Sequence, residues 1–491
     1  MNHLRNVFSI TALLAISPLQ AEVSLPPIFS DHMVLQRNQP VRVWGKADPG
    51  EVVTVGFKDQ VLQATTGDDA RWEVILDPME ASYDPAQLTV SGINRIELAD
   101  ILVGEVWLCS GQSNMEKPMG EQHGQLPTEN YEQEIARAGY PGIRLFQYPH
   151  YGKVSSPDWQ LKWLRCSPES LASSRFSAVG YYFARKVHLE ADVPVGIIHS
   201  SFGGTMIEAW MPSSAFHRDP LLEPLLYRKY FSWVDGVQAT DLYQSMIEPM
   251  VPFTLHGFLW YQGEANLMYS ESTIYARKMK ALIQAWRDAF QQPGAPFLYV
   301  QLAPFNYSEW DKFPKRQTPE ALPLFWEVQT SVLAYPDTGM VVTTDLAGDA
   351  RDIHPVRKLE VGDRLASLAL DYLPETEKEA PHPRSPMLEK VTIRDRHIIL
   401  KFDTVDGDLK TRDGEKPDSF EIAGPDRVFH PASAVVRKDR VQLTSPQIEH
   451  PVAVRFGWDE TANPNLVSAT GLPVTPFRTD NWPIQNEKAT P

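Results

Sequence analysis

The sequence predicts an α/β protein: a parallel sheet with helices on both faces, flanked by an N-terminal β-sandwich and a C-terminal β domain. Two observations carry that reading. From about residue 103, apolar runs of strand length alternate with helix-period segments, the order that builds a parallel sheet covered on both sides. Before and after that stretch the pattern is short, alternating and punctuated by turns, as in antiparallel β structure.

Taken in order, residues 1–21 read as a secretory signal peptide. His3 and Arg5 precede an apolar run from Val7 to Ile16, and Ala21 offers a small residue before the cut. A secreted or periplasmic destination follows. The run is too short to span a bilayer and no later segment replaces it, so no membrane span is expected. Residues 22–102 form the expected sandwich, with Val41–Trp44, Val52–Val55 and Trp72–Ile75 as strands and Asp48-Pro49-Gly50 as a turn.

Residues 103–375 form the expected catalytic domain. Its strands are Glu105–Cys109, Val195–Ser200, His256–Tyr261, Phe297–Leu302 and Met340–Thr344. Tyr275, Met279, Leu282, Ile283, Trp286 and Phe290 mark one helix face, capped by Ser272 or Thr273. After the proline-rich stretch Pro381–Pro386, residues 376–491 read as the second β domain, with Ile398–Phe402, Val435-Val436, Val441–Leu443 and Val452–Phe456 as strands.

At 43% hydrophobic and 22% charged, the 491-residue chain has an ordinary globular composition. Its 46 basic and 62 acidic side chains leave a formal charge of −16, which argues against nucleic acid or an anionic membrane as partner. Cys109 and Cys166 are the only cysteines; they form either one disulfide or two buried thiols, and neither has zinc-site spacing.

Four polar clusters each follow an expected strand: Gly111-Gln112-Ser113-Asn114-Met115, Ser201-Phe202-Gly203-Gly204-Thr205, Gln262-Gly263-Glu264-Ala265-Asn266 and Asp352-Ile353-His354-Pro355. Ligands of open α/β sheets bind beyond the carboxyl ends of the strands, so the four clusters converge on one rim. Ester hydrolysis needs a nucleophile, a base and oxyanion donors. Ser113, in a Gly-flanked turn, supplies a hydroxyl; alone it reads more readily as a turn or helix-cap serine, and the other clusters decide for catalysis. His354 is the general base. Asp352, two residues earlier, is placed to accept from the imidazole Nδ1–H, with Asp349 and Glu264 as alternatives. No metal or organic cofactor is called for, because no metal-ligand spacing or phosphate-cradling loop is present.

Gly-Gln-Ser-Asn-Met after Gly104-Glu105-Val106-Trp107, then Gly203–Trp210, Trp260–Glu264 and Asp352–Pro355, resemble the sialate O-acetylesterase family of the SGNH hydrolase group, which is related to acetyl-xylan esterases. The similarity begins in the sandwich, at Phe29–Gln36 and Val43-Trp44-Gly45, and runs to about residue 370. It implies an SGNH-type, flavodoxin-like sheet and a serine esterase acting on an acetylated carbohydrate. It also implies an oxyanion hole of the Ser113 N–H, the Gly204 N–H (or that of Gly203) and the Asn266 side-chain amide. Gln112, Gln262 and Glu264 are possible supports. Many SGNH enzymes place the ordering acid three residues before the histidine, and here that position is Arg351.

Trp210, Trp260, Tyr261 and Trp310 are candidates for stacking on a sugar, with core packing preferred for Trp260. Two rival readings stand beside the first. One is an esterase for acetylated hemicellulose; a sialic acid carboxylate instead wants a cation such as Arg351, Arg357 or Arg175. The other is a non-catalytic carbohydrate-binding protein.

Overall fold

The computed structural model describes residues 22–149, 161–229, 236–310, 317–373, 381–405 and 407–484. The expected signal peptide lies outside the described residues.

A mostly parallel sheet forms the centre. Its strands run in the spatial order Thr338–Val341, Phe297–Val300, Gly257–Tyr261, Arg95–Gly111, Val195–Ser201, Tyr140–Gln147 and Trp163–Cys166. Pairing is parallel except at the last strand, which closes the edge antiparallel to Tyr140–Gln147. Val195–Ser201 and Gly257–Tyr261 are buried at every residue, as strands covered on both faces must be.

All five expected catalytic-domain strands are present. The outer ones are shifted: Phe297 to Val300 instead of Leu302, and Thr338–Val341 instead of Met340–Thr344, because the chain leaves the ladder early to form the rim. The helix Ser272–Ala289 buries Tyr275, Met279, Leu282, Ile283 and Trp286, the expected face, but Glu271 occupies its N-cap position without a side-chain cap bond. Helices Ala178–Ala191 and Lys358–Leu370, not distinguished in the sequence, pack against each other on the sheet.

The N-terminal β layer is not joined by a linker. Arg95–Gly111 is one 17-residue strand that pairs with Ser82–Ser91 at its start and with the central sheet at its end. The 102/103 division falls inside it. Beyond the crossing, Glu105 is buried between Arg37 of the N-terminal layer and His256, whose Nδ1 lies 2.6 Å away. Burial alone would raise this carboxyl, but His256 and Arg37 outweigh it and hold it ionised. The two segments accordingly share one hydrophobic core.

The C-terminal segment has its own core, built on Ile398, Leu400, Phe420, Val454 and Phe456. Its strands contain three of the four expected ones, the fourth starting one residue later at Ala453–Phe456, and add Met387–Arg394 and several short ones. Cys109 and Cys166 are separate buried thiols, and no helix among the described residues is long and apolar enough to cross a membrane.

Candidate active site

The four clusters meet at the carboxyl ends of the central strands. The chain leaves Arg95–Gly111, turns at Gln112 and enters a short helix at Ser113. Neighbouring rims are tied together: the Gln112 N–H donates to the Tyr261 carbonyl at 3.0 Å, and the Phe202 N–H to that of Gly111 at 3.0 Å. Ser113 Oγ and His354 Nε2, separated by 241 positions, lie 2.9 Å apart. Both side chains open into a cleft of about 290 Å³ whose walls include Gln112, Glu116, Gly203, Gly204, Ala265, Met268, Trp310 and Ile353.

His354 is held neutral. Burial, reinforced by the nearby Lys358 and Lys117 ammonium groups, brings its pKa down to about 4 against an opposing pull from Glu116. A ring in this state is a proton acceptor over the whole neutral range.

Asn114 couples the two reactive loops. Its Nδ2 donates to the Ile353 carbonyl at 3.0 Å and to Glu264 Oε1 at 2.6 Å, while its Oδ1 accepts from Lys358 Nζ at 2.7 Å. Lys358 is buried over the Tyr261 ring, and burial followed by the nearby Lys117 lowers its pKa to about 7 despite Glu264 and Asp352. Burial raises Glu264 in turn. Glu264 thus sits behind the site and does not touch His354.

Two expected roles need correction. Asp352 Oδ1 accepts the backbone N–H of His354 at 2.8 Å, not the ring N–H. A short carboxylate two residues ahead closes a local turn onto the backbone, and this wins over an extended arrangement. His354 Nδ1 has no hydrogen-bond acceptor among the described residues; Asp349, the other nearby acid, is exposed and paired with Arg351 at 2.7 Å.

Asn266 is likewise turned away from the cleft. Its Nδ2 donates to Glu208 Oε2 at 3.0 Å and Glu271 Oε2 at 2.9 Å, and its Oδ1 accepts from the Ile207 N–H and Gln262 Nε2. Lys278 is buried against both carboxylates, bonding Glu271 at 2.6 Å. Acceptor-only carboxylates take the amide hydrogens, so none is left for an oxyanion.

The same chain of amides orients Gln112. Tyr275 donates its hydroxyl to Gln262 Oε1 at 2.9 Å, which turns Gln262 Nε2 toward Gln112 Oε1 at 3.1 Å. Gln112 Nε2 is left without a hydrogen-bond partner among the described residues, on a residue that lines the cleft.

Gly203 packs against the nucleophile: a Cβ there would meet Ser113 Cβ at 3.2 Å and Glu116 Oε2 at 3.0 Å. Its N–H donates to Glu116 Oε2 at 2.6 Å. Gly204, at φ +73, turns the chain in a conformation that favours glycine, and its N–H has no partner among the described residues. Ser113 N–H, in the first turn of its helix, is open in the same way.

Trp210, Trp260 and Tyr261 are buried in the core, whereas Trp310 faces the cleft. Among the described lining residues there is no lysine or arginine; Arg175 bonds Gln122, and Arg357 bonds Glu360 and the Asp345 carbonyl. Glu116 and Lys358 were not distinguished in the sequence. Glu116 has a signal in spacing, three residues after Ser113 on the same short helix, whereas Lys358 opens the helix that follows the His354 loop and carries no such signal.

Residues 103–371 match the family described as carbohydrate esterase, sialic acid-specific acetylesterase. The chain is 31% identical to human sialate O-acetylesterase over 367 residues, 68% of each chain, and 32% identical to the orangutan (Pongo abelii) protein over 368 residues, also 68% of each. A carbohydrate acetylesterase from Xanthomonas citri superposes with a TM-score of 0.81 at 33% identity, over 94% of this chain and 100% of that one. This chain therefore belongs to the carbohydrate esterase family of sialic acid-specific acetylesterases.

Proposed function

We propose that this carbohydrate O-acetylesterase works through a Ser113–His354 dyad and an acetyl-serine intermediate. The 2.9 Å approach of Ser113 Oγ to a half-buried, neutral imidazole carries the reading. Ser113 Oγ attacks the acetyl carbonyl carbon as His354 Nε2 takes its proton. The tetrahedral oxyanion is met by the Ser113 and Gly204 N–H groups, with the Gln112 side-chain amide in the role expected of Asn266. Collapse breaks the bond to the sugar oxygen, which takes the proton from His354. Water then gives a proton to the same ring and attacks acetyl-Ser113. Acetate leaves, and Ser113 Oγ recovers its proton.

The substrate reading favours a neutral acetylated sugar of the hemicellulose kind over an acetylated sialic acid. A carboxylate in the cleft would face Glu116 with no described cation lining the wall. Acetate release from acetylated xylo-oligosaccharides and from O-acetylated sialic acid, for wild type and Ser113→Ala, tests both parts. Faster turnover of the sialate overturns the substrate preference; undiminished release by Ser113→Ala overturns the mechanism. The reading places the enzyme outside the cytoplasm, after removal of residues 1–21. A mature N-terminus at Glu22 on the exported protein is the expected result.

A further inference from the structure

We infer that Glu460, in the C-terminal β domain, is a specificity-determining residue that sets the sugar-facing wall of the cleft by holding Trp310 in place. The inference rests on the proposed reading of the site. Glu460 is 3% exposed and lies on the loop between strands Ala453–Phe456 and Leu466–Val467. Its Oε2 accepts the Ser308 N–H at 2.9 Å, its Oε1 accepts the Ser308 hydroxyl, and its backbone carbonyl accepts the Phe305 N–H at 2.9 Å. A buried carboxylate is costly unless its oxygens are hydrogen-bonded. Here both oxygens bond one short turn of another domain.

That turn ends on Trp310. The Phe305 ring lies 4.8 Å from that of Tyr307 and 5.2 Å from that of Trp310. The Trp310 N–H closes the turn onto the Tyr307 carbonyl at 3.3 Å. Trp310 is half-buried and contributes to the cleft wall that also holds Ser113 and His354. An indole there offers an apolar face to a sugar ring, and stacking is sensitive to small tilts. The Asn306 N–H also donates to the Ala350 carbonyl at 2.9 Å, so the gripped turn braces the start of the His354 loop.

The experiment compares kcat/KM for p-nitrophenyl acetate with kcat/KM for the acetylated oligosaccharide that wild type turns over fastest. Glu460→Ala and Ser308→Ala, the milder deletion on the opposite side of the same bond, are made alone and with Trp310→Ala. The expected result is a fall of roughly five- to tenfold in the glycan-to-nitrophenyl ratio for Glu460→Ala, the scale of one displaced stacking ring, and a smaller fall for Ser308→Ala. In the Trp310→Ala background neither substitution changes the ratio further. Equal losses on both substrates, or effects that add in full to that of Trp310→Ala, overturn the inference and leave the dyad standing. A wild-type enzyme that releases acetate from no glycan overturns the reading of the site itself.

Discussion

The side-chain amide of Asn114 bonds the backbone carbonyl of Ile353 at 3.0 Å. Each partner is chain neighbour to one half of the reactive pair, so this one bond helps set how far the Ser113 hydroxyl stands from the His354 ring. Lys358 and Glu264, on opposite ends of the same amide, keep it from rotating.

Asn114→Asp is expected to lower kcat by about 10²-fold with little change in KM, since a carboxylate cannot donate to Ile353 and small misplacements of reacting groups cost that much. Steady-state kinetics on an acetylated oligosaccharide check it. A rise in KM at constant kcat would assign Asn114 to binding instead.

Asp352→Asn separates a dyad from a triad. Asparagine keeps an oxygen for the His354 N–H but loses the charge, so kcat should fall by less than about tenfold, whereas removing the charge of a true triad acid costs about 10⁴-fold. Ser113→Ala and His354→Ala serve as the reference, each expected to lose about 10⁴-fold or more.

The acid limb of the rate profile should lie near pH 4, where His354 takes up a proton. The neutral ring is the active form, so kcat/KM falls as pH drops through that value and is flat above it. Lys358 is protonated in this range and disfavours a second positive charge. Lys358→Met should therefore raise the histidine pKa and move the limb to higher pH. A limb that stays in place would show that Lys358 does not set the ring and leave that to burial and Lys117.

Gln112→Ala is expected to reduce kcat by about 10²- to 10³-fold, the loss typical of one oxyanion donor. Asn266→Ala acts differently, leaving Glu208 and Glu271 short of a donor and lowering the melting temperature more than the Gln112 change does. Paired activity and thermal-unfolding measurements distinguish the two.

Much of this site was legible in the sequence because parallel strands are continuous apolar runs and the polar clusters after them stand out. Ser113 and His354 follow from that rule together with the family resemblance, and Gly204 from the resemblance. Asn266 does not, because the direction of its amide is decided by Glu208, 58 positions away, and by Glu271 and Lys278 from the next helix. Asp352 fails for the opposite reason: the competing partner is its own backbone two residues on. Sequence spacing carries residue types, but the competition for each hydrogen is settled only by the packed neighbours. Of the two helices not distinguished, Ala178–Ala191 is hidden because it is apolar on most of its circumference, whereas Lys358–Leu370 carries a regular face, Val361, Gly362, Leu365, Ala366, Ala369 and Leu370, that was legible.

The strand that crosses from the N-terminal layer into the central sheet makes a severed enzyme impossible to build from that end. A fragment starting at Val103 would keep the nucleophile yet strip Glu105 of Arg37 and leave Val103 and Gly104 without their partner strand Val34–Gln36. Its expected fate on expression is aggregation. Evolution or engineering can therefore trade whole β-layer-plus-hydrolase units, but not the hydrolase half by itself.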